Sequence, residues 1–289
     1  MKKTLILLLA LLLTGCGTAA VTMVSGSPPP QTAAAGAVSA ESLQYAVETS
    51  LLSDEARAED GTLLASYSFE LPHLTVLHAD GTPVTAAETA AEHHALAVSD
   101  AFNQKFGKWA AAEEFPDFSH SAAEDLTLSR ESGTLWRPYT LELDCSVYQT
   151  DCLISVSGSY LSDTGGAHPN TWQLGWNFDL ETGRFFDPDL LAGSMDLQAS
   201  ISEELLRQAR LPREDGTIPA AQYWEDYEAI LSNWSSYTVI FDEAGMAVIF
   251  SPYELAPYSE GPQVFRLSYD WLAPHLGNHG RSVLGISEK

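Results

Sequence analysis

The chain is short of positive charge. Its 289 residues include 14 Lys and Arg against 39 Asp and Glu, so the formal net charge is −25 at pH 7. Proteins that bind nucleic acids need a basic surface to contact phosphates, and this charge balance excludes that class. Hydrophobic residues still make up 45% of the chain, which favours a folded protein with a buried core over an acidic disordered one.

Long apolar runs are also missing. The run Leu5–Leu13 has nine residues, whereas a membrane-spanning helix needs about 20. Lys2 and Lys3 precede the run, and this order is typical of an export signal. The next residues, Leu13-Thr14-Gly15-Cys16, resemble the lipobox of bacterial lipoproteins. The resemblance implies that residues 1–15 are a signal peptide, removed when Cys16 is acylated; an ordinary secretory leader is the alternative.

The stretch after Cys16 has no charged residue as far as residue 40 and contains a run of three prolines at 28–30. We interpret residues 16–40 as a flexible tether. Removal of residues 1–15 takes away two lysines and no acid, which changes the net charge to −27. The acidic charge therefore belongs to the folded part, and two or more acyl chains would give the stable anchor. We expect an extracytoplasmic protein, lipid-anchored to the bacterial cell membrane.

Strand and helix patterns mix without strict alternation after residue 41. A capping box at Thr85 and Glu88 and apolar residues at helical spacing predict a helix that runs to Trp109. The other predicted helices are 195–210, 220–234 and 269–276, and the predicted strands are 63–71, 74–77, 135–147, 153–161, 172–180, 237–241, 246–250 and 264–267. This order predicts an α+β fold with a mainly antiparallel sheet and packed helices.

Cysteine is scarce, with three in the chain. Cys145 and Cys152 lie near the inner ends of a predicted hairpin, and outside the cytoplasm such a pair can form a disulfide. We predict this disulfide, with two unpaired thiols as the alternative. His275 and His279 are four residues apart, but Gly277 and Asn278 should end the helix between them, so we expect no metal site and no cofactor.

Catalytic motifs are absent from the sequence. It contains no G-x-S-x-G, no H-E-x-x-H and no P-loop pattern. We therefore expect that the protein is not an enzyme.

Three segments carry a family resemblance. They are GGAHPN at 165–170, FDLETG at 178–183 and FSPYELAPYSEG at 250–261. Together they resemble the RsiV-like extracytoplasmic domain of unknown function, which occurs in the anti-sigma factor RsiV and beside the catalytic domain of the deacetylase PdaC. The resemblance covers about residues 155–277 and continues more weakly over residues 62–161. It implies a C-terminal RsiV-like domain at 161–289 and an N-terminal α+β companion domain at 41–160, two subdomains that either stay separate or share a core.

The resemblance also implies a function, because in RsiV this region binds lysozyme. We expect a surface-anchored, non-enzymatic lipoprotein that binds a lysozyme-type muramidase or another cationic envelope protein, as receptor, decoy or inhibitor. Glycine permits the backbone conformations of a tight loop, and proline fixes the backbone where the loop ends. Tyrosine supplies contact area at low entropic cost. The candidate partner-binding residues are Gly165, Gly166, Ala167, His168, Pro169, Asn170, Tyr253, Glu254 and Tyr258.

Other interpretations of the same residues stay open. The glycine, proline and tyrosine segments are equally typical of turns and core anchors that define the fold. A peptidoglycan-binding module would use the seven tryptophans and eleven tyrosines as stacking platforms. A hydrolase with an unrecognised site is a further alternative.

Overall fold

The computed structural model describes residues 11–12, 43–107, 109–193, 196–211 and 222–286. Cys16, the tether at 16–40 and most of the predicted signal peptide lie outside the described residues. None of the described helices is long and apolar enough to cross a membrane.

The larger sheet has seven strands in chain order. They are β1 (Leu11–Leu12), β2 (Gln44–Arg57), β3 (Leu63–Leu77), β4 (Tyr139–Gln149), β5 (Leu153–Asp163), β6 (Asn170–Asp179) and β7 (Arg184–Phe186). All neighbouring pairs are antiparallel except β3 and β4, which are parallel. A parallel pair needs a long crossover, and α1 (Ala90–Phe106), α2 (Ala110–Glu113) and α3 (Phe115–Ser132) provide it.

Helix α1 covers one face of this sheet. It buries Val98, Phe102 and Phe106, as its apolar spacing predicts. The predicted capping box at Thr85 and Glu88 is wrong by about one turn. The side chain of Thr89 caps the helix, and the carboxylate of Glu92 accepts a hydrogen bond from the Thr89 backbone N–H at 2.7 Å. The sequence has the same Thr-x-x-Glu spacing at both places, and the helix starts at the second because residue 84 still pairs with β3.

A smaller three-stranded sheet forms the second layer. It contains β8 (Thr238–Asp242), β9 (Gly245–Phe250) and β10 (Gln263–Ser268), all antiparallel. Its helices are α4 (Asp196–Ala209), α5 (Tyr227–Leu231), α6 (Tyr269–Leu272) and α7 (Asn278–Val283). The fold is thus α+β and mainly antiparallel, as predicted. The predicted helix at 220–234 is wrong in extent: α5 has five residues, and residues 220–221 lie outside the described part.

Two hydrophobic cores meet in strand β5. Ile154 belongs to the core between the large sheet and α1, whereas its neighbour Leu153 belongs to the core around the small sheet. Successive side chains of a strand point to opposite faces, so one strand contributes to both cores. The predicted boundary between 41–160 and 161–289 falls inside β5, and the large sheet continues across it.

A buried polar bridge joins the two sheets. The side-chain amide of Asn177 on β6 donates to the carbonyl of Val239 on β8 at 2.9 Å, and its oxygen accepts from the hydroxyl of Ser155 at 2.9 Å. The same hydroxyl oxygen accepts from the backbone N–H of Phe241 at 2.8 Å. Gly175 permits this approach, because a Cβ there would lie 2.6 Å from the Val239 carbonyl. The backbone of β8 therefore lies directly on β5 and β6.

The predicted disulfide between Cys145 and Cys152 is wrong. Cys145 lies opposite Gly158, because β4 continues to Gln149. The turn follows at Thr150, whose hydroxyl oxygen accepts hydrogen bonds from the backbone N–H groups of Cys152 and Leu153. Gln149 pairs with Ile154, so Cys152 lies in the turn beyond the paired end of β4. Cys145 is four strand residues before that end, roughly 13 Å, whereas a disulfide requires Cα atoms within about 7 Å. Burial also raises the pKa of the Cys145 thiol to about 12, which disfavours the thiolate that disulfide exchange needs.

The polar bridge predicts a large cost for Asn177→Ala. The change leaves the Val239 carbonyl buried without its donor, and we expect the free energy of unfolding to fall by about 2–3 kcal/mol. Urea denaturation followed by circular dichroism measures it. Asn278→Ala is the control, because Asn278 is exposed and should change stability little. Equal stability of the two variants would contradict the role given to the bridge.

A candidate aromatic groove

Two loops meet above the contact between the sheets. One is the 164–169 loop that joins β5 to β6, and the other follows β9 at 251–258. The hydroxyl of Ser251 accepts a hydrogen bond from the backbone N–H of Gln173 at 3.0 Å, and the hydroxyl of Thr238 donates to the Gln173 carbonyl at 3.3 Å. These bonds hold the start of β6 against the start of β8 and the end of β9, so Gln173 and Ser251, 78 residues apart in sequence, lie side by side.

His168 and two tyrosines form the centre of this contact; we name these three residues the His168 cluster. The imidazole of His168 stacks on Tyr258 with ring centroids 3.9 Å apart and planes within 12°. Its Nε2 lies 3.0 Å from the hydroxyl of Tyr253, and its Nδ1 lies 3.1 Å from the carbonyl of Pro169. The Tyr253 and Tyr258 rings are 5.7 Å apart.

For a neutral imidazole, the geometry sets the hydrogen-bond direction within the His168 cluster. A carbonyl can only accept, so Nδ1 of His168 carries a hydrogen and donates to Pro169. In the neutral imidazole Nε2 is then an acceptor, and the hydroxyl of Tyr253 donates to it. The proton of Tyr253 is therefore used inside the protein, while the lone pairs of its oxygen remain able to accept.

Tyr253 adopts an unusual backbone conformation. Its φ is 73°, and it is the one non-glycine residue with a positive φ among those the structure describes. This conformation costs a bulky residue roughly 1–2 kcal/mol. Neighbouring bonds maintain it: the N–H of Tyr253 donates to Ala256, and the indole N–H of Trp224 donates to the Tyr253 carbonyl, both at 3.0 Å. Backbone strain of this kind concentrates at functional sites.

An open groove of about 240 Å³ lies beside the His168 cluster, and we name it the aromatic groove. Trp172 is 41% exposed and Tyr253 is 51% exposed, so both offer ring surface to a ligand. The exposed carboxylate of Glu254 lies at the same groove, with its Oε2 accepting from the Ser251 backbone N–H. The lining residues are Asn170, Thr171, Trp172, Ser251, Pro252, Tyr253, Glu254 and Tyr258.

The candidate residues predicted from the sequence lie at two different grooves. His168, Pro169 and Asn170 lie beside the second segment, which supplies Tyr253, Glu254 and Tyr258. Gly165, Gly166 and Ala167 instead line a larger groove of about 570 Å³, shared with the end of α3 and the start of β4. Gly165 has a φ of 77° and donates its N–H to the Asp163 carboxylate at 2.8 Å, which is the geometry of a tight turn.

The FDLETG segment forms a turn around the buried carboxylate of Asp179, away from the aromatic groove. The carboxylate of Asp179 accepts from the backbone N–H of Glu181 and from the hydroxyl of Thr182, both at 2.8 Å. His279 of α7 approaches the same carboxylate at 3.4 Å, whereas the ring of His275 lies 4.8 Å from Trp271. These two histidines thus have different neighbours. The described residues contain no group of three or more His, Cys, Asp or Glu side chains that could hold a metal ion.

Sequence reasoning missed two tryptophans of the site. Trp172 begins a strand that the sequence does predict, but the exposure of its side chain depends on where β6 passes the edge of the small sheet. Trp224 follows a stretch outside the described residues. Its indole N–H donates to the carbonyl of Tyr253, which is 29 residues away in sequence. The available signal was the position of Trp172, two residues after the GGAHPN segment.

A solved structure with a TM-score above 0.5 has a similar fold. Residues 185–270 match the model of a family described as a protein of unknown function, DUF3298. A crystal structure of a DUF3298 family member from Bacteroides fragilis NCTC 9343 is similar, with a TM-score of 0.54 and 15% identity over 86% of this chain and 99% of that chain. A DUF3298 family protein from Pseudomonas aeruginosa PAO1 has a TM-score of 0.46 and 16% identity over 80% of this chain and 94% of that chain. No curated protein matches the sequence.

The His168 cluster predicts a specific loss of stability in His168→Ala. The change removes a stacked ring pair and the bond to Tyr253, so we expect the free energy of unfolding to fall by about 1–2 kcal/mol. Thermal and urea denaturation measure it. The matched control is His120→Ala, because that side chain is 76% exposed and should have no measurable effect. A loss in the control equal to that in His168→Ala would refute the role of the cluster.

Proposed function

We propose that this chain is a non-enzymatic bacterial lipoprotein, anchored outside the cell membrane through Cys16, and that its aromatic groove binds a cationic envelope-associated protein of the lysozyme type. The observation that carries the proposal is the His168 cluster with the exposed rings of Trp172 and Tyr253. The structure describes the groove, and the sequence resemblance suggests the partner.

The groove suits a protein partner because its aromatic residues are already ordered. Tyr253 is held through its backbone N–H, its carbonyl and its hydroxyl, so little side-chain entropy remains to be lost on binding. Preordered tyrosine and tryptophan supply large contact areas at low entropic cost and are common at the centre of interfaces.

The charge of the chain suits a basic partner. A net charge of −27 after removal of residues 1–15 would attract a cationic protein over several ångströms and raise the association rate at low salt. The exposed carboxylate of Glu254 places part of this charge at the groove itself.

We propose that the tether predicted at residues 16–40 keeps the domain within reach of envelope proteins. Residues 16–40 are uncharged apart from any modified terminus, and a flexible chain of this length spans on average about 28 Å. We propose that lipid at Cys16 anchors one end while the groove faces the extracytoplasmic side, where a lysozyme acts.

Binding of a purified lysozyme to the full-length chain tests this proposal. We expect complex formation in calorimetry at low salt, weaker at 0.3 M salt because rim charges are screened. Tyr253→Ala should weaken the affinity about tenfold or more, as for a central aromatic contact. Leu51→Ala is the control, since Leu51 is 65% exposed on β2. No binding at tens of micromolar protein in low salt would overturn the proposal.

A glycan-binding module is a second candidate. The exposed indole of Trp172 beside the amide of Asn170 is an observation that favours it, because sugar faces stack on aromatic rings while amides bond their hydroxyls. A hydrolase is less favoured, because His168 faces Tyr253 and a carbonyl in this groove and has no carboxylate partner there.

Cosedimentation with purified cell wall separates the second candidate from the first. If the groove binds glycan, the full-length chain should sediment equally at low and high salt, and Trp172→Ala should abolish sedimentation. Leu190→Ala, which removes another exposed apolar side chain, should not affect it. A chain that stays in the supernatant under both conditions removes this candidate.

A further inference from the structure

We propose that the aromatic groove is a receptor for an arginine side chain presented by the partner. The inference rests on the proposed function and names the chemical group that the groove recognises. It follows from the hydrogen-bond direction at Tyr253, from the carboxylate at Glu254 and from the aromatic lining.

Tyr253 presents an acceptor to the groove. When the His168 ring is neutral, its Nδ1 donates to the Pro169 carbonyl, and its Nε2 accepts the hydroxyl proton of Tyr253. The lone pairs of the tyrosine oxygen stay available. A ligand group that meets this oxygen must therefore bring its own hydrogen.

Glu254 adds a negatively charged acceptor. One of its carboxylate oxygens accepts from the backbone N–H of Ser251, and this bond holds the side chain beside the groove. An ionised carboxylate has about four acceptor positions and no donor. Charge and hydrogen bonding at this residue both select a cationic donor and disfavour a phosphate or carboxylate ligand.

The rings of the groove complete the selection. Trp172, Tyr253 and Tyr258 line it, and a cation is attracted to the face of such rings. The arginine guanidinium is planar, stacks on aromatic faces and carries five donors, whereas the lysine ammonium is compact and strongly hydrated. A stacking, acceptor-rich groove therefore fits arginine better than lysine.

Binding of small probes to the full-length chain tests the inference. The probe is Nα-acetyl-arginine methylamide, and its neutral analogue is Nα-acetyl-citrulline methylamide, which has nearly the same shape without the charge. Titrations followed by the indole N–H signal of Trp172 in NMR spectra should show the arginine probe binding about tenfold more tightly than citrulline. Equal affinity for both probes overturns the inference.

Two matched variants locate the recognition. Glu254→Gln keeps an oxygen that can accept from Ser251, and it should weaken the arginine probe about fivefold or more. Glu243→Gln removes one charge from the exposed turn between β8 and β9, so it should leave the affinity unchanged. An equal loss in both variants would show a general charge effect and would overturn the inference.

A competition experiment separates this inference from the proposed function. If both hold, saturating arginine probe displaces a purified lysozyme, whereas the citrulline probe does not. Lysozyme binding that the arginine probe leaves unchanged overturns the arginine receptor alone. Selective binding of the arginine probe without any lysozyme binding supports the receptor and overturns the lysozyme partner.

Discussion

The contact of strand β8 with strands β5 and β6 determines the rest of the architecture. Asn177 and Ser155 supply buried polar partners for the β8 backbone, and Gly175 lets that backbone come close. A buried amide without hydrogen-bond partners is costly, and these bonds form in one relative position of the two sheets. That position is therefore strongly favoured. That position brings the loop after β5 to the loop after β9, and the aromatic groove exists because of it.

The aromatic groove combines rigidity with local strain. Tyr253 holds an unfavourable backbone conformation, and the surrounding bonds from Trp224 and His168 offset its cost. Such a residue does not reorganise easily, so the exposed ring has one orientation before any ligand arrives. A preorganised surface of this kind contributes to affinity by reducing the order that binding must impose.

Periodic patterns allowed much of the fold to be predicted from the sequence. The spacing of Val98, Phe102 and Phe106 predicts α1, and two short apolar segments on either side of the turn at 242–245 predict the hairpin of β8 and β9. Strand β2 was missed because all its residues from 48 to 55 are exposed, so no apolar alternation marks it. Helix α3 was missed because it buries only Phe115, Ala122 and Leu126, too few for a clear stripe.

The residues of the His168 cluster were predictable from the sequence, but their arrangement was not. Motif resemblance picked out His168, Tyr253 and Tyr258, but nothing local indicates that their rings stack. That contact depends on the register of β5 and β6 and on the bridge to β8, which join residues 62–86 positions apart. Cys145 and Cys152 were paired wrongly because the turn between β4 and β5 lies about three residues further along the chain than that pairing requires, so Cys145 lies opposite Gly158.

Strand β5 also bears on what the matched stretch at 185–270 can do alone. The core of the small sheet includes Leu153 from β5, and Leu276 and Val283 lie beyond the other end of that stretch. A fragment cut at its limits would leave this core open on two sides and would expose the apolar face that β5 and β6 now cover. The unit of sequence similarity is therefore smaller than the unit of folding, and both cores should melt together.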